Sequence, residues 1–428
     1  MRLSKSFFKT TKTLPAEETS LNAQLLIKAG FVHKTMAGVY AYLPLGLRVL
    51  EKIETTVRTR LNRIGAQEVL LNSLHPKQWW AQTGRWDEVD VLFKLKSQTE
   101  QEYGLAPTHE EQISPLMSQF ITSYKDLPEY NPDTGQFPLA VYQIQTKFRD
   151  ELRSKAGLMR GREFRMKDLY DFHRTKESQA AYFETMTKTY LQIFEEMGLE
   201  AYAVDASGGD FSDKFSREFQ VVCAAGEDAI KFSPTTGFAS NEEVYAEAVA
   251  KLETVPADIQ TAKSAEVGNI FDLGDKWTKA FGITYQGEDN QPHHPTMGCH
   301  GIGTSRCLGV IAENYNDEAG LKWPVNVAPY RYHLVTHTSS KNQAEAAQIL
   351  ELAARIYAGE VSLNGHDLPT GEILWDDREG VGMGQKLKDA DLIGCPYQLI
   401  LSPRTLADAQ LEWKVRGTGE TFRVGLPR

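Results

Sequence analysis

Apolar residues recur at Leu47, Leu50, Ile53, Val57, Leu61 and Ile64, in steps of three and four. That spacing predicts an amphipathic helix opening at Pro44 and closing at Gly65. The run QEVLL at 67–71 reads as a strand and 72–76 as a loop. Between positions 142 and 170, two extended stretches (YQIQTKFRDEL and GREFRMKDLYDF) flank SKAGLMR, which predicts a long hairpin with a basic, glycine-containing tip. Phe183, Met186, Tyr190, Ile193 and Met197 then share one helical face, with Gly198 as its C-terminal cap. The polar, alanine-rich stretch 242–263 reads as a surface helix plus linker, suited to joining two parts of one sheet. Beyond Trp323-Pro324 the pattern becomes strand YHLV, helix NQAEAAQILELAARIYAG, strand EILW, a glycine-rich turn, and strands YQLILS and LEWKV. Such alternation predicts a compact α/β domain from about residue 327, after a large antiparallel sheet with helices.

Composition narrows the function classes. The 428 residues are 41% hydrophobic and 24% charged, an ordinary globular balance for two or three domains, which excludes collagen-like, disordered and disulfide-scaffold readings. Apolar runs are short and broken by charge, and MRLSKSFFKTTKTLPAEE lacks the apolar stretch of a secretory signal, so a soluble cytoplasmic protein without a membrane role is expected. Cys223, Cys299, Cys307 and Cys395 are too scattered for a disulfide framework and are expected as thiols. The net charge of −10 disfavours nucleic acid unless positive charge is concentrated. It is concentrated between positions 147 and 167, where Lys147, Arg149, Arg153, Lys155, Arg160, Arg162, Arg165 and Lys167 outnumber three acids.

The candidate chemistry lies in a few short stretches. On a strand, i and i+2 share a face, so Arg149 and Glu151 would address one ligand: the guanidinium clamps phosphate oxygens and the carboxylate accepts from an amino group such as that of adenine. A solvated cross-strand pair is the plain alternative. Phe164 on the return strand is placed to stack on a base. In MGCHGIGTSR, the glycines at 298, 301 and 303 admit close backbone approach, and Arg306 opens an apolar helix. A dinucleotide fingerprint fails there because Arg306 holds the third glycine position. His293, His294, Cys299, His300 and Cys307 are chemically able to bind zinc but lack paired spacing, so no metal site is assigned. In PTHEE, Thr108 and Glu110 either cap the following helix or bind a substrate ammonium. Asp376-Asp377-Arg378 follows a strand end in the last domain, with Lys386 beyond the glycine turn.

Taken in order, GVYAYLPLGLRVLEKIE with GAQEVLL, FRDE with REF, and GIGTSR resemble the three motifs of class II aminoacyl-tRNA synthetases. PTHEE, YQIQTKFRDE, EFRMKDLYDFH, DDR and DADLIGCP resemble the prolyl-tRNA synthetases among them, over nearly the whole chain. The resemblance implies an α+β catalytic domain with a central antiparallel sheet flanked by helices over 1–326, and an α/β anticodon-binding domain over 327–428. It implies ATP with Mg²⁺, L-proline and tRNA(Pro) as partners, and a homodimer through the first-motif helix. Arg149, Glu151 and Arg306 would be catalytic, and Arg160, Arg162, Phe164, Glu218 and Gln220 would complete the ATP site. Thr108, Glu110, Arg149, Asp168, Tyr170 and Gly298 would bind proline. Arg153, Lys155 and Arg160 would meet the acceptor stem, and Arg378 and Lys386 the anticodon.

Many bacterial relatives carry a large editing insertion between the second and third motifs; only 242–263 stands there, so editing in cis is not expected and a separate editing protein is. Arg217, Asn269 and His300 replace the family's usual histidine, histidine and tyrosine, which touches the local ATP contacts. The alternatives are a sister class II synthetase for another amino acid and an inactive tRNA-binding paralogue.

Overall fold

The structure is a computed structural model describing residues 1–11, 13–14, 18–154, 156–207, 215–339, 341–363 and 366–426. The chain divides into two compact units, 35–40 with 53–310, and 1–34 with 41–52 and 311–428.

Helix α1 (Pro44–Arg63) forms where the spacing places it, but Leu47 is 45% exposed; the buried stripe is Leu45, Val49, Leu50, Ile53, Val57 and Leu61. Strand β1 (Gln67–Glu68) is shorter than QEVLL, and strand β2 (Leu74–Pro76) occupies the stretch expected as loop. It pairs with β4 (Glu102–Leu105), which also pairs with β3 (Phe93–Lys96). Helix α2 (Glu110–Met117) follows.

The expected hairpin is β5 (Leu139–Phe148) and β6 (Glu163–His173), antiparallel in unbroken register from Leu139 opposite Phe172 to Phe148 opposite Glu163. Helix α3 (Lys176–Glu196) buries Tyr182, Met186, Tyr190, Ile193 and Phe194, while Phe183 is half-buried beneath the Arg217 guanidinium. Next come β7 (Ala201–Ser207), β8 (Phe215–Val222), β9 (Asp228–Phe232) and β10 (Ala239–Asn241). A short helix α4 (Tyr245–Ala250) precedes the long strand β11 (Gln260–Gly274), which is followed by β12 (Thr296–Ile302) and helix α5 (Thr304–Asn314). The stretch 242–263 is therefore helix first and strand last, connecting β10 to β11 within one sheet.

That sheet runs β10-β9-β11-β12-β6-β5-β1, with β8 added on β11 and β7 on β8. Its pairings are antiparallel except for β1 on β5. One core cluster joins Ile113 and Met117 of α2 to Val141, Tyr170, Phe172, Met297 and Cys299 of the sheet. Elsewhere on the sheet, Tyr190 of α3 packs on Phe219 of β8, with ring centroids 4.9 Å apart. Each such buried side chain contributes roughly 1.5–3 kcal/mol.

In the other unit, β13 (Tyr332–Thr336), α6 (Gln343–Tyr357), β14 (Ile373–Asp376), α7 (Met383–Ile393), β15 (Tyr397–Leu401), β16 (Gln410–Val415) and β17 (Thr421–Gly425) form a sheet of order β14-β13-β15-β16-β17. The strands flanking β13 are parallel to it and the rest antiparallel. Helix α7 and strand β17 add to the elements read from the sequence. Leu334, Ile349, Ala353, Ile356, Leu399 and Trp413 form the core between sheet and α6. The first residues of the chain lie along β14: Arg2 bridges Trp375 in parallel, and the Trp375 N–H donates to the Met1 carbonyl at 2.8 Å.

Candidate active site

Strand β5 ends at Phe148, so Arg149 and Glu151 stand beyond the ladder and strand alternation does not set their directions. They nevertheless line one pocket of about 250 Å³ with Arg160, Asp228, Glu266 and Arg306. The Arg149 guanidinium lies 5.1 Å from the centroid of the Phe164 ring. Arg306, in the first turn of α5, donates from Nε to the Met159 carbonyl at 2.8 Å and from Nη1 to the Glu266 carbonyl at 2.7 Å. Burial, and then the facing charge of Arg306, lower the Arg149 pKa from its ordinary value, against Glu266 and Glu151. Two guanidinium groups held against their mutual repulsion make a site for an anion rich in oxygen.

The loop joining the hairpin strands is braced on several sides. Arg160 pairs with Glu151 at 3.0 Å and Glu227 at 2.7 Å, and Arg162 donates to the carbonyls of Glu151 at 3.0 Å and Ala37 at 3.1 Å. Glu218 and Gln220 stand behind the pocket: the Gln220 amide donates to Glu218 at 2.9 Å and to Asp228 at 3.0 Å. Burial, with Glu266 adding to it, pushes the Glu218 carboxyl up to about 7.

The basic cluster is not a single basic tip. Lys147, Arg165 and Lys167 lie on the strands; Lys147 is buried against Asp168 at 2.7 Å, Arg165 pairs with Glu54 at 3.0 Å, and Lys167 donates to Tyr190 and to the His300 carbonyl. Arg153 is exposed, and Lys155 lies outside the described residues.

Beside the phosphate pocket, Thr108 and Glu110 do not cap α2, whose N-cap is His109 with no side-chain cap bond. The Thr108 hydroxyl donates to Glu110, and the Cys299 thiol donates to the other Glu110 oxygen at 2.9 Å. Asp168 and Tyr170 form the layer beneath. Asp168 accepts from Gln143 and Tyr170, each at 2.9 Å, and pairs with Lys147, whose Nζ also donates to His109 Nδ1 at 2.6 Å. His109 in turn donates from Nε2 to the Asn72 carbonyl at 3.0 Å and from its backbone N–H to the Tyr170 hydroxyl at 3.0 Å. Burial, and then Lys147, hold His109 well below its ordinary pKa, so it is neutral and accepts at Nδ1. Burial opposes the Asp168 charge, yet Lys147, helped by the hydrogen bond from Gln143, keeps its carboxyl below the usual range. Gly298 leaves room behind: a Cβ there would stand 2.5 Å from the Asp171 carboxylate, which His173 and His300 bond.

Lys147, His109, Gln143, Cys299 and Glu266 belong to this constellation without having been singled out for it in the sequence. Their signal was weak: Lys147 read as one more surface cation and Cys299 as part of a zinc alternative. His293, His294, Cys299, His300 and Cys307 go to separate partners or stay buried, and no cluster of three metal-binding side chains exists among the described residues. Arg217 pairs with Glu184 at 2.8 Å and Asp205 at 3.3 Å beside α3, and Asn269 donates to Glu266 at 2.8 Å. In the last domain Arg378 is bonded to Asp376 and Asp389, at 2.6 and 2.8 Å. Lys386 is buried, donating to the Thr336 carbonyl at 2.8 Å and thereby tying α7 to the strand ends.

Comparison with known proteins gives the arrangement its context. Residues 93–315 match the tRNA synthetase class II core domain (G, H, P, S and T), and 347–427 the anticodon binding domain. The chain is 36% identical to the proline–tRNA ligase of Gluconobacter oxydans (strain 621H), over 100% of this chain and 98% of that relative. It is 35% identical to that of Wolbachia sp. subsp. Brugia malayi, over 99% and 97% respectively. Giardia lamblia prolyl-tRNA synthetase, solved with prolyl-adenylate, shares the fold at a TM-score of 0.75 and 22% identity, covering 94% of this chain and 73% of that one. The Cryptosporidium parvum enzyme, solved with halofuginone and AMPPNP, does so at 0.74 and 16%, covering 94% and 74%. A shared core domain alone marks only the class, whereas relatedness from end to end at this identity marks the member: the chain belongs to the prolyl-tRNA synthetases, a family of class II aminoacyl-tRNA synthetases.

Proposed function

We propose that the protein joins L-proline to ATP, giving prolyl-adenylate and pyrophosphate, and then transfers the prolyl group to the terminal adenosine of tRNA(Pro), releasing AMP. The observation that carries this reading is the 36% identity to a proline–tRNA ligase over the full chain. The residues supply what the reaction requires. The proline carboxylate and later the ribose hydroxyl are the nucleophiles, so the protein's task is positioning and charge neutralisation.

Arg149 holds the α-phosphate and the proline carboxylate in line, and Arg306 takes the γ-phosphate. Glu151 and Phe164 hold adenine, while Arg160 and Arg162 fix the loop that carries Glu151. Glu218 and Gln220 support the pocket's acidic side. Mg²⁺ belongs to this reading: Glu266, 3.5 Å from Arg306, is a hard oxygen donor of the type that cation takes, with Glu218 beside it. When bound, it neutralises phosphate charge. Thr108 and Glu110 bind the proline nitrogen, with Cys299 steadying Glu110, and Asp168, Tyr170 and Gly298 shape the wall.

The catalytic domain extends to about residue 326 and the anticodon domain follows. Arg153, Lys155 and Arg160 meet the acceptor stem; Arg378 reads the anticodon, with Lys386 holding the strand ends beside it. The enzyme is a cytoplasmic homodimer through α1, and no helix among the described residues is long and apolar enough to cross a membrane. A pocket sized for proline rejects the smaller alanine by only about 1–3 kcal/mol, so clearance of alanyl-tRNA falls to a separate protein.

Amino-acid-dependent exchange of labelled pyrophosphate into ATP, run with all twenty amino acids, tests the reading. Exchange led by proline and lost in Arg149→Ala is expected. Exchange led by another amino acid would mean a sister synthetase, and none at all an inactive paralogue.

A further inference from the structure

The chain's first eleven residues form a strap on the last domain. Side chains add to the backbone bridge between Arg2 and Trp375. Arg2 pairs with Asp377 at 2.5 Å while its guanidinium covers the Trp375 ring at 4.7 Å. The Ser4 hydroxyl and N–H both donate to Asp377, at 2.6 and 2.9 Å, and Thr10 donates to Asp389 at 2.9 Å. Asp377 and Asp389 flank Arg378, so the strap is fastened to the same strand end and helix that present that residue.

Between strap and helix lies a cavity of about 890 Å³, larger than the phosphate pocket. Ser6, Lys9 and Thr10 line it from one side, and Arg378, Gln385 and Lys388 from the other. The Ser6 hydroxyl has no hydrogen-bond partner among the described residues. Phe7 does not itself line the cavity; its ring is 76% exposed and stands edge-on to that of Phe8, a residue of the wall, at 6.4 Å between centroids.

We propose that the strap is one wall of the anticodon-loop site, with Phe7 as a stacking platform for a splayed base and Lys9 as a phosphate contact. The inference rests on the reading of the last domain as the anticodon binder and extends it to residues at the opposite end of the sequence. The chemistry fits single-stranded RNA. An exposed ring offers its face to any base, a neighbouring ammonium meets the backbone, and the Glu379 carboxylate and Lys388 ammonium on the wall suit base edges, beside a Gln385 amide that donates to Asp389 at 2.8 Å.

The test compares Phe7→Ala, Phe7→Trp and Lys9→Ala in the full-length enzyme. Aminoacylation kcat/KM is measured for full-length tRNA(Pro) transcript and for an acceptor-stem minihelix lacking the anticodon arm, beside proline-dependent pyrophosphate exchange. Stacking is worth about 1–3 kcal/mol per base, so Phe7→Ala should lower kcat/KM for full-length tRNA roughly 10- to 100-fold. Phe7→Trp should retain most of it, and Lys9→Ala should lower it with a weaker salt dependence. Minihelix charging and exchange should not change. Unaltered charging of the full-length tRNA, or an equal loss on the minihelix, overturns the inference while leaving the proline reading standing. Absence of proline-dependent exchange in the parent enzyme would overturn that reading and this inference together.

Discussion

The Cys299 thiol, on the central sheet, donates to Glu110 Oε1 at 2.9 Å, across 189 residues of sequence. With Thr108 donating to the other oxygen, both Glu110 oxygens are oriented before any substrate arrives. Burial, and then Glu110 itself, push the Cys299 thiol well above its ordinary pKa, so it stays protonated and serves as a donor. Cys299→Ala removes that donor, which at about 1 kcal/mol raises KM for proline roughly fivefold. Cys299→Ser, which keeps a donor, should lose less. Steady-state kinetics with each substrate varied checks this, since an equal rise in KM for ATP would mean general distortion instead.

Gly38 packs against the loop that carries Ser154 and Arg162. Its φ is +74°, and a Cβ there would stand 2.7 Å from Ser154 Cβ and 3.0 Å from the Arg162 nitrogen. Gly38→Ala combines left-handed strain of about 1–2 kcal/mol with that clash and displaces the loop. KM for ATP should rise about five- to tenfold with KM for proline nearly constant. Unchanged ATP kinetics would sink the idea that this contact positions Arg160 and Arg162.

His333 is fully buried with neither ring nitrogen hydrogen-bonded among the described residues. Burial drives its pKa down to about 4 from 6.5, against the pull of Asp376. Between those values the unfolded chain takes up a proton that the folded chain refuses. Stability present above pH 6.5 is therefore lost as pH falls towards 4, by roughly 2–3 kcal/mol from this group. His333→Leu should flatten the decline in melting temperature over that interval; a parallel decline would assign it to other groups.

Arg153 is an exposed cation at the hairpin tip. Arg153→Ala should weaken tRNA binding about equally for all sequences and reduce the slope of log affinity against log salt by about one. Filter binding across a salt series measures it, and an unchanged slope removes Arg153 from the phosphate contacts.

Given alanine, ATP and tRNA(Pro), the purified enzyme should accumulate alanyl-tRNA. Hydrolysis of preformed alanyl-tRNA by this chain alone would overturn the reading that it does not edit in cis.

Periodic elements were legible because burial repeats with them. The α1 stripe and the β5–β6 hairpin follow from spacing, and the α1 stripe erred at Leu47, where solvent takes the face beyond Leu45, and at Ile64, which lies past the helix end and is half-buried. Helix α7 was hidden because Gly382 and Gly384 stand at its start, where glycine reads as turn. The pocket was legible at its charges, since the structure brings Arg149, Glu151 and Arg306 together as the sequence grouped them. It was illegible where charge is buried, because Lys147 differs from a surface lysine only through Asp168, a partner on the next strand. The strap was the least visible, since its order comes from Asp377 and Asp389, more than 370 residues away.

The connection from β10 to β11 also bears on how such chains diversify. Both strands flank β9 in the sheet, and β9 fixes their registers by its own pairings, with Ile230 opposite both Asn241 and Ala262. The intervening residues touch β9 and the turn after it through side chains, Asp258 accepting from Ser233 at 2.6 Å and Glu242 pairing with Lys231 at 3.7 Å, whereas the strand registers themselves rest on β9. The junction acts as a socket. A longer insert leaving and returning there would keep the pairings of β9 with both neighbours.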